Sequence, residues 1–466
     1  MRSGEVSKGR PAGRPPMRYP DTASRAVMTR RGWWLLGIGV LIPGSAQVLA
    51  GSRRLGRFGL AATLLLWTVL AVTLLALLVI PSAVYSIAAL DATLIVTQVL
   101  LLAYAALWLV LTLDTLRLAR LVKLAPGARA ALGAATVLVL LVSVGTAGYG
   151  SHLIGISRGL LSNVFGDGQM AAPVDGRYNI LLLGGDAGED REGLRPDSIS
   201  VASIDTATGA ATIIGLPRNL EDVPFPEDSP MHELYPDGYL RGECDVDRCM
   251  LNSIYTEVEL KSPELYPDAE AQGSAPGIEA MRDAVEGVLD MPIQYYALID
   301  MQGFASLIDA LGGIDIDYTG EDDLPFGGVL DENTGELVGV NGWLKPGKHH
   351  LDGSNALAYA RSRYGSARGD YDRMERQREV QGAILTRFAP ANVLLKFQAI
   401  ADAGSDVVRT DIPQGMLGGF VHLALKTRSQ PLGSIELTPP TVIPEDPDYD
   451  DIHADVAAAL EAAARG

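Results

Sequence analysis

Cysteine is almost absent from this 466-residue sequence: Cys244 and Cys249 are the only two, with four residues between them in ECDVDRC. Two thiols cannot supply the ligand quartet of a structural zinc site, and in an oxidising compartment they favour a small loop-closing disulfide. Histidine is scarce too. None of the six has ligand spacing, since His349 and His350 are adjacent rather than on one helical face. There is no nucleophile elbow, no complete phosphate-binding loop and no internal repeat, and Gly184-Gly185 alone is no fingerprint. Basic residues are outnumbered, with 38 Lys and Arg against 56 Asp and Glu, for a formal net charge of −18. That balance argues against a nucleic-acid partner.

Apolar residues, by contrast, are plentiful and unevenly placed. Residues 58–80, 93–113 and 130–150 are nearly free of charge and close to the length of about twenty residues that spans a bilayer as a helix. Apolar side chains cover every helical face in them, which fits a core helix poorly. A fourth apolar segment, 33–50, is interrupted by Pro43-Gly44 and reads as a re-entrant hairpin or a fourth span. Basic residues mark the cytoplasmic ends of spans. Eight Lys or Arg lie in the first 31 residues, Arg53, Arg54 and Arg57 precede 58–80, and Arg117, Arg120, Lys123 and Arg129 separate 93–113 from 130–150. The loop 81–92 has none, so residues 152–466 are expected outside, in a multi-pass cell-membrane protein with an extracytoplasmic domain. The resulting division is a basic tail over 1–32, a membrane region over 33–151, a linker over 152–175, a catalytic domain over 176–435, and an acidic crossover with a final helix over 436–466.

In the outer part the pattern changes to short strands and amphipathic helices. NILLLGG (179–185), SISVASID (198–205) and AATIIGL (210–216) read as strands, and 277–289, 302–311, 353–361 and 373–388 carry helical periodicity. Mixed elements of this kind imply an α/β fold, a mixed sheet with helices on both faces in an α/β/α arrangement.

Charged residues cluster where such a sheet places functional groups. Asp186 follows the strand NILLLGG and Asp197 opens the next one, after Arg195; if the strand ends adjoin, the two carboxylates suit a hard cation such as Mg²⁺, and otherwise they belong to an acidic surface loop. Arg218 follows the third strand. Further on, YARSRYGSARGDYDRMERQRE (359–379) gathers Arg361, Arg363, Arg368, Arg373, Arg376 and Arg378. Permanently charged planar forks suit a multiply charged anion, whereas the interleaved Asp370, Asp372, Glu375 and Glu379 suit an exposed helix laced with ion pairs. Arg361 and Arg363 face one way if their segment is extended, and Arg373, Arg376 and Gln377 share one helical face. A cation opposite several arginines is a usual provision for a pyrophosphate.

Five ordered blocks make the comparison specific: NILLLGGDAGEDREGLRPDSISVASID, IIGLPRN, MLNSIYTE, YALIDMQGFASLIDALGGIDIDY and LKPGKHHLDGSNALAYARSRYGSARGDYDRMERQREV. Together, over about 178–390, they resemble the motif series of the LytR-CpsA-Psr family. The resemblance implies a phosphotransferase that moves a glycopolymer from a polyprenyl-pyrophosphate carrier to peptidoglycan, with Mg²⁺ as cofactor. By matching motif, Asp186 and Asp197 would hold the metal, and Arg195, Arg218, Arg361, Arg363, Arg373 and Gln377 would contact the pyrophosphate. Asp197 or Asp370 would take the proton of the attacking hydroxyl. The alternatives are a polyprenyl-pyrophosphate phosphatase and a non-catalytic lipid-binding regulator. One departure is Asn219, where the family commonly has Asp; an amide cannot balance the charge of Arg218. A lipid carrier also implies an apolar tunnel, for which Phe304, Leu307, Ile308 and Leu311 have helical spacing, as they would for ordinary core packing.

Overall fold

The computed structural model describes residues 17–165, 170–186, 195–331, 334, 336–364, 368–387, 396, 399–400 and 408–465. It comprises two compact units, one of 1–84 and 91–155 and the other of 85–90 and 156–466.

The first unit is helical. Helices α1 (Arg25–Leu41) and α2 (Ser45–Ala50) are separated at Ile42-Pro43-Gly44, where Pro43 lacks an N–H donor and Gly44 has φ +96°. Glycine is required there for a second reason: a Cβ would lie 2.5 Å from the backbone N of Leu60. Then follow α3 (Arg53–Val79), α4 (Pro81–Ala89), α5 (Asp91–Ala119) and α6 (Pro126–Val164). The helical stretches Arg53–Val79, Asp91–Lys123 and Pro126–Leu161 are long and apolar enough to cross a membrane; the broken pair α1 and α2 falls short of that length. Where a linker was expected from residue 152, α6 continues to Val164; HLIGISRGLL has no proline to stop it, and its two glycines do not break the helix.

The second unit holds a six-stranded mixed sheet. Its strands are β1 (Arg177–Asp186), β2 (Arg195–Asp205), β3 (Ala211–Leu216), β4 (Tyr295–Asp300), β9 (Val408–Thr410) and β10 (Gly433–Glu436), in the order β10-β3-β2-β1-β4-β9. β1–β2, β2–β3 and β4–β9 are antiparallel, whereas β1–β4 and β3–β10 are parallel. Alternation decides which residues face which layer. Leu181, Leu183, Ile199, Val201, Ile214 and Leu216 pack into one core with helices α8 (Leu251–Lys261), α9 (Pro276–Leu289) and α14 (Tyr449–Arg465). The other layer contains α10 (Met301–Leu311), α11 (Gly353–Arg361) and α12 (Asp370–Arg387), together with the paired strands β5 (Ile314–Tyr318) and β8 (Gly347–Leu351) and the hairpin β6 (Leu324–Leu330)–β7 (Leu337–Leu344). Two short helices, α7 (Pro230–Leu234) and α13 (Leu417–Thr427), complete the described set. The second core is built on Ile308, Ile314, Tyr318, Leu324, Tyr359 and Val380, with Phe304 packed against it. Leu307 and Leu311 are buried as well, so of the four residues considered for a tunnel three are buried and Phe304 is partly so.

Candidate active site

A β-bulge starts the site. β1 and β2 pair regularly up to Gly184 opposite Ser198, after which Gly185 faces Pro196 and Asp186 faces Arg195. Asp197 is therefore the extra residue, and a bulge re-aims its side chain out of strand alternation. Its Oδ1 accepts a hydrogen bond from Nη1 of Arg218, two residues beyond β3. The Arg218 turn is itself anchored: its carbonyl accepts the N–H of Asn252 at 3.0 Å and that of Leu220 accepts Leu251 N–H at 2.8 Å, so the start of α8 clamps it. The charge that Asn219 cannot balance is thus balanced by Asp197.

The first turn of α12 supplies the opposite wall of charge. Arg373 donates from Nη2 to Asp370 Oδ2 at 3.0 Å and to the Asp197 carbonyl at 3.2 Å. Asp370 also lies 3.3 Å from Arg363 Nε through Oδ1 and 3.8 Å from Arg218 Nε through Oδ2. Three guanidiniums consequently converge on two carboxylates contributed by four chain segments. Side-chain exposure rises from 3% at Arg373 through 19% at Asp197, 28% at Arg218 and 33% at Asp370 to 41% at Arg363, which orders them from floor to mouth. Burial pushes the Arg373 pKa down to about 10 against the pull of Asp370, with Arg363 and Arg218 adding to the fall, so it stays charged at neutral pH. Its Nε is buried without a hydrogen-bond partner among the described residues.

All of these groups except Arg373 line a cavity of about 1100 Å³, together with Arg195 and Asn219. Among the residues expected from the sequence, Gln377 is set apart. It lines a much smaller neighbouring space with Arg373 and donates to the Ala360 carbonyl at 3.3 Å. Arg361 is the last residue of α11, is exposed, and is not among the cavity's lining residues; α11 buries Ala356, Tyr359 and Ala360, and Arg361 falls off that face. The remaining arginines of the run are structural. Arg376 donates to the carbonyls of Tyr359 (3.3 Å) and Ser362, fixing the chain that carries Arg363, and its guanidinium lies 6.0 Å from the Tyr359 ring centroid. Arg378 pairs with Glu436 across to β10, in space left by Gly215, and Arg368 pairs with Asp372 and Glu375 at the surface. The run thus gives Arg363 and Arg373 to the charge cluster and is an ion-paired helix over the rest.

Sequence reasoning overlooked six lining residues: Asp247, Arg248, Met250, Asn252, Ser253 and Tyr371. Asn252 lies inside MLNSIYTE, whose place in the motif order was its only signal. Asp247 and Arg248 lie between Cys244 and Cys249, which the structure joins as a disulfide.

The two carboxylates considered for a hard cation come from neighbouring strands. Asp186 and Asp197 belong to adjacent strand ends, and among the described residues there is no group of three or more acidic, His or Cys side chains able to hold a metal. One or two carboxylates are the usual protein share for Mg²⁺, which completes its shell with water and phosphate oxygens.

The chain is 27% identical over 310 residues to polyisoprenyl-teichoic acid–peptidoglycan teichoic acid transferase TagV of Bacillus subtilis, covering 63% of this chain and 68% of TagV. It is 30% identical over 239 residues to the transferase TagU of Enterococcus faecalis, covering 50% and 61%, and 28% identical over 309 residues to the cell wall biosynthesis protein LcpA of Corynebacterium glutamicum, covering 60% and 53%. The chain thus spans about half to two thirds of these relatives. The sequence profile of the LytR_cpsA_psr family matches residues 163–444, well over half of the chain and all of the site just described. The chain belongs to the LytR-CpsA-Psr family.

Proposed function

We propose that this protein is a membrane-anchored phosphotransferase that moves a glycopolymer from a polyprenyl-pyrophosphate carrier to peptidoglycan. The observation that carries it is the convergence of Arg218, Arg363 and Arg373 on Asp197 and Asp370, all but Arg373 lining one cavity. A diphosphate spreads its charge over many oxygens, which several clustered guanidiniums can each bond. In the state described, Asp370 occupies the arginines; a bound diphosphate displaces it and leaves a carboxylate beside the reacting centre. The acceptor sugar hydroxyl attacks the polymer-bearing phosphorus, forming one P–O bond as the bridging P–O bond breaks. The electron pair leaves on the polyprenyl phosphate, stabilised by the arginines, and the hydroxyl proton passes to Asp370. Asp186 and Asp197 would hold Mg²⁺, which when bound would neutralise charge on the diphosphate oxygens.

The three apolar helices support membrane attachment, and the basic residues at 53–57 and 117–129 against none at 81–92 support an outward-facing second unit. The test uses the full chain in detergent micelles or nanodiscs with a polyprenyl-pyrophosphate oligosaccharide, peptidoglycan fragments and Mg²⁺, followed by mass spectrometry. A phosphodiester product that requires the fragments is expected. Release of phosphate without them would indicate a phosphatase, and binding of the lipid without turnover a regulator; either result overturns the proposal.

A further inference from the structure

The loop between the two cysteines contributes a second kind of chemistry to the cavity. Cys244 and Cys249 close it, and the Cys249 sulfur accepts from the backbone N–H groups of Gly242 (3.2 Å) and Cys244 (3.3 Å). From the other side, the Ser253 hydroxyl on α8 donates to the carbonyl of Arg248 at 2.7 Å and accepts the N–H of Met250 at 3.1 Å. The loop is therefore fixed to the helix that also clamps Arg218. Asp247 and Arg248 protrude from it, both exposed and both lining the cavity of about 1100 Å³. Neither side chain forms an ion pair with any described residue, in contrast to Arg218, Arg363, Arg373, Asp197 and Asp370.

We infer that Asp247 and Arg248 form a recognition subsite at the cavity mouth for the peptide-bearing part of the acceptor, a ligand carrying both carboxylate and ammonium groups. Depth assigns the division of labour. The diphosphate belongs at the buried floor, so what reaches the mouth is the body attached to a reacting group. One anion and one cation side by side discriminate among such bodies: Asp247 repels a polyanionic polymer, whereas a stem peptide with both signs of charge can satisfy both residues. A staple costs the loop its freedom before the ligand arrives, which lowers the ordering cost of binding. The inference rests on the glycopolymer-transfer reading for the acceptor's identity, but it is tested by binding without turnover.

The full chain is titrated calorimetrically with two acceptor fragments, a muramyl disaccharide bearing its stem peptide and the same disaccharide without it. The expected result is tighter binding of the peptide-bearing fragment, with the advantage reduced about three- to fivefold in Arg248→Ala and in Asp247→Asn, and largely restored in Arg248→Lys. The advantage should also shrink at about 1 M salt, where the Debye length is near 3 Å. Near-ultraviolet circular dichroism checks that each variant is folded. Equal affinity for the two fragments, or unchanged preference in both variants, overturns the subsite. Loss of donor-lipid affinity in place of the acceptor preference overturns it as well. Failure of transfer with this binding pattern intact would count against the ligase reading alone.

Discussion

Arg218 and Asp197 are joined across two strands, the guanidinium donating to a carboxylate that a β-bulge has turned out of β2. Neither lies in a core, with side-chain exposures of 28% and 19%. Their pairing therefore concerns the cavity rather than the folded state. Asp197→Asn and Arg218→Ala are each expected to lower kcat/KM for transfer by about 10²- to 10³-fold with little change in Tm. In the double variant the losses should fall well short of adding, because the two act as one unit. Steady-state transfer kinetics over the four proteins give the coupling, and simple additivity would show that the pair does not act together.

Arg373 tests whether shape or charge matters at the floor. One nitrogen serves both Asp370 and the Asp197 carbonyl, and a lysine would keep the charge while losing the planar fork. Arg373→Lys should lose about 100-fold or more in transfer rate while still folding. Donor-lipid turnover measured beside a thermal melt separates the effects, and near-normal turnover would reduce Arg373 to a counter-ion.

Glu257 holds the segment leading into the disulfide loop. This residue of α8, only 3% exposed, accepts hydrogen bonds from the hydroxyls of Tyr235 and Tyr239, the latter fully buried. Burial and these bonds to the carboxylate push both tyrosines well above their ordinary pKa. Glu257→Ala strands two buried hydroxyls and should cost about 3 kcal/mol, visible in chemical denaturation of the full chain. A loss below about 0.5 kcal/mol would mean that the hydroxyls find other partners.

Glu286 gives the protein a pH-dependent stability. Desolvation raises its pKa from an ordinary 4.5 to about 7, with Asp283 and Asp228 adding to the rise and the Ile293 N–H, 2.6 Å from Oε1, opposing it. A folded-state pKa above the unfolded one means that the native form holds the extra proton between those values. The stability is fully present below about pH 4.5 and is lost as pH rises through about 7. Glu286→Gln keeps the acceptor oxygen without the titration, so its Tm should exceed that of the unaltered protein at about pH 8 by a few degrees and match it near pH 4.5. Parallel melting curves that never diverge with pH would refute the assignment.

Much of this was legible in the chain because it is written in local patterns. Apolar run length marked the three long helices, and short apolar runs of strand length marked β1 to β3. Motif order placed Asp197, Arg218, Arg363, Arg373 and Asp370 in one family site. Local pattern is silent on contact between distant segments. It could not separate Arg373, which bonds the site's Asp370 and the Asp197 carbonyl, from Arg376 and Arg378, which hold the chain together three and five residues later, since all three are buried arginines on one helix. It could not show that Asp197, twenty-one residues before Arg218, supplies the charge that Asn219 lacks, nor that a stapled loop of ordinary surface composition lines the cavity. Periodicity comes from the geometry of a single segment and can be read along it; the site arises where a bulge, a turn and two helix starts meet, and only the folded chain brings those within bonding distance.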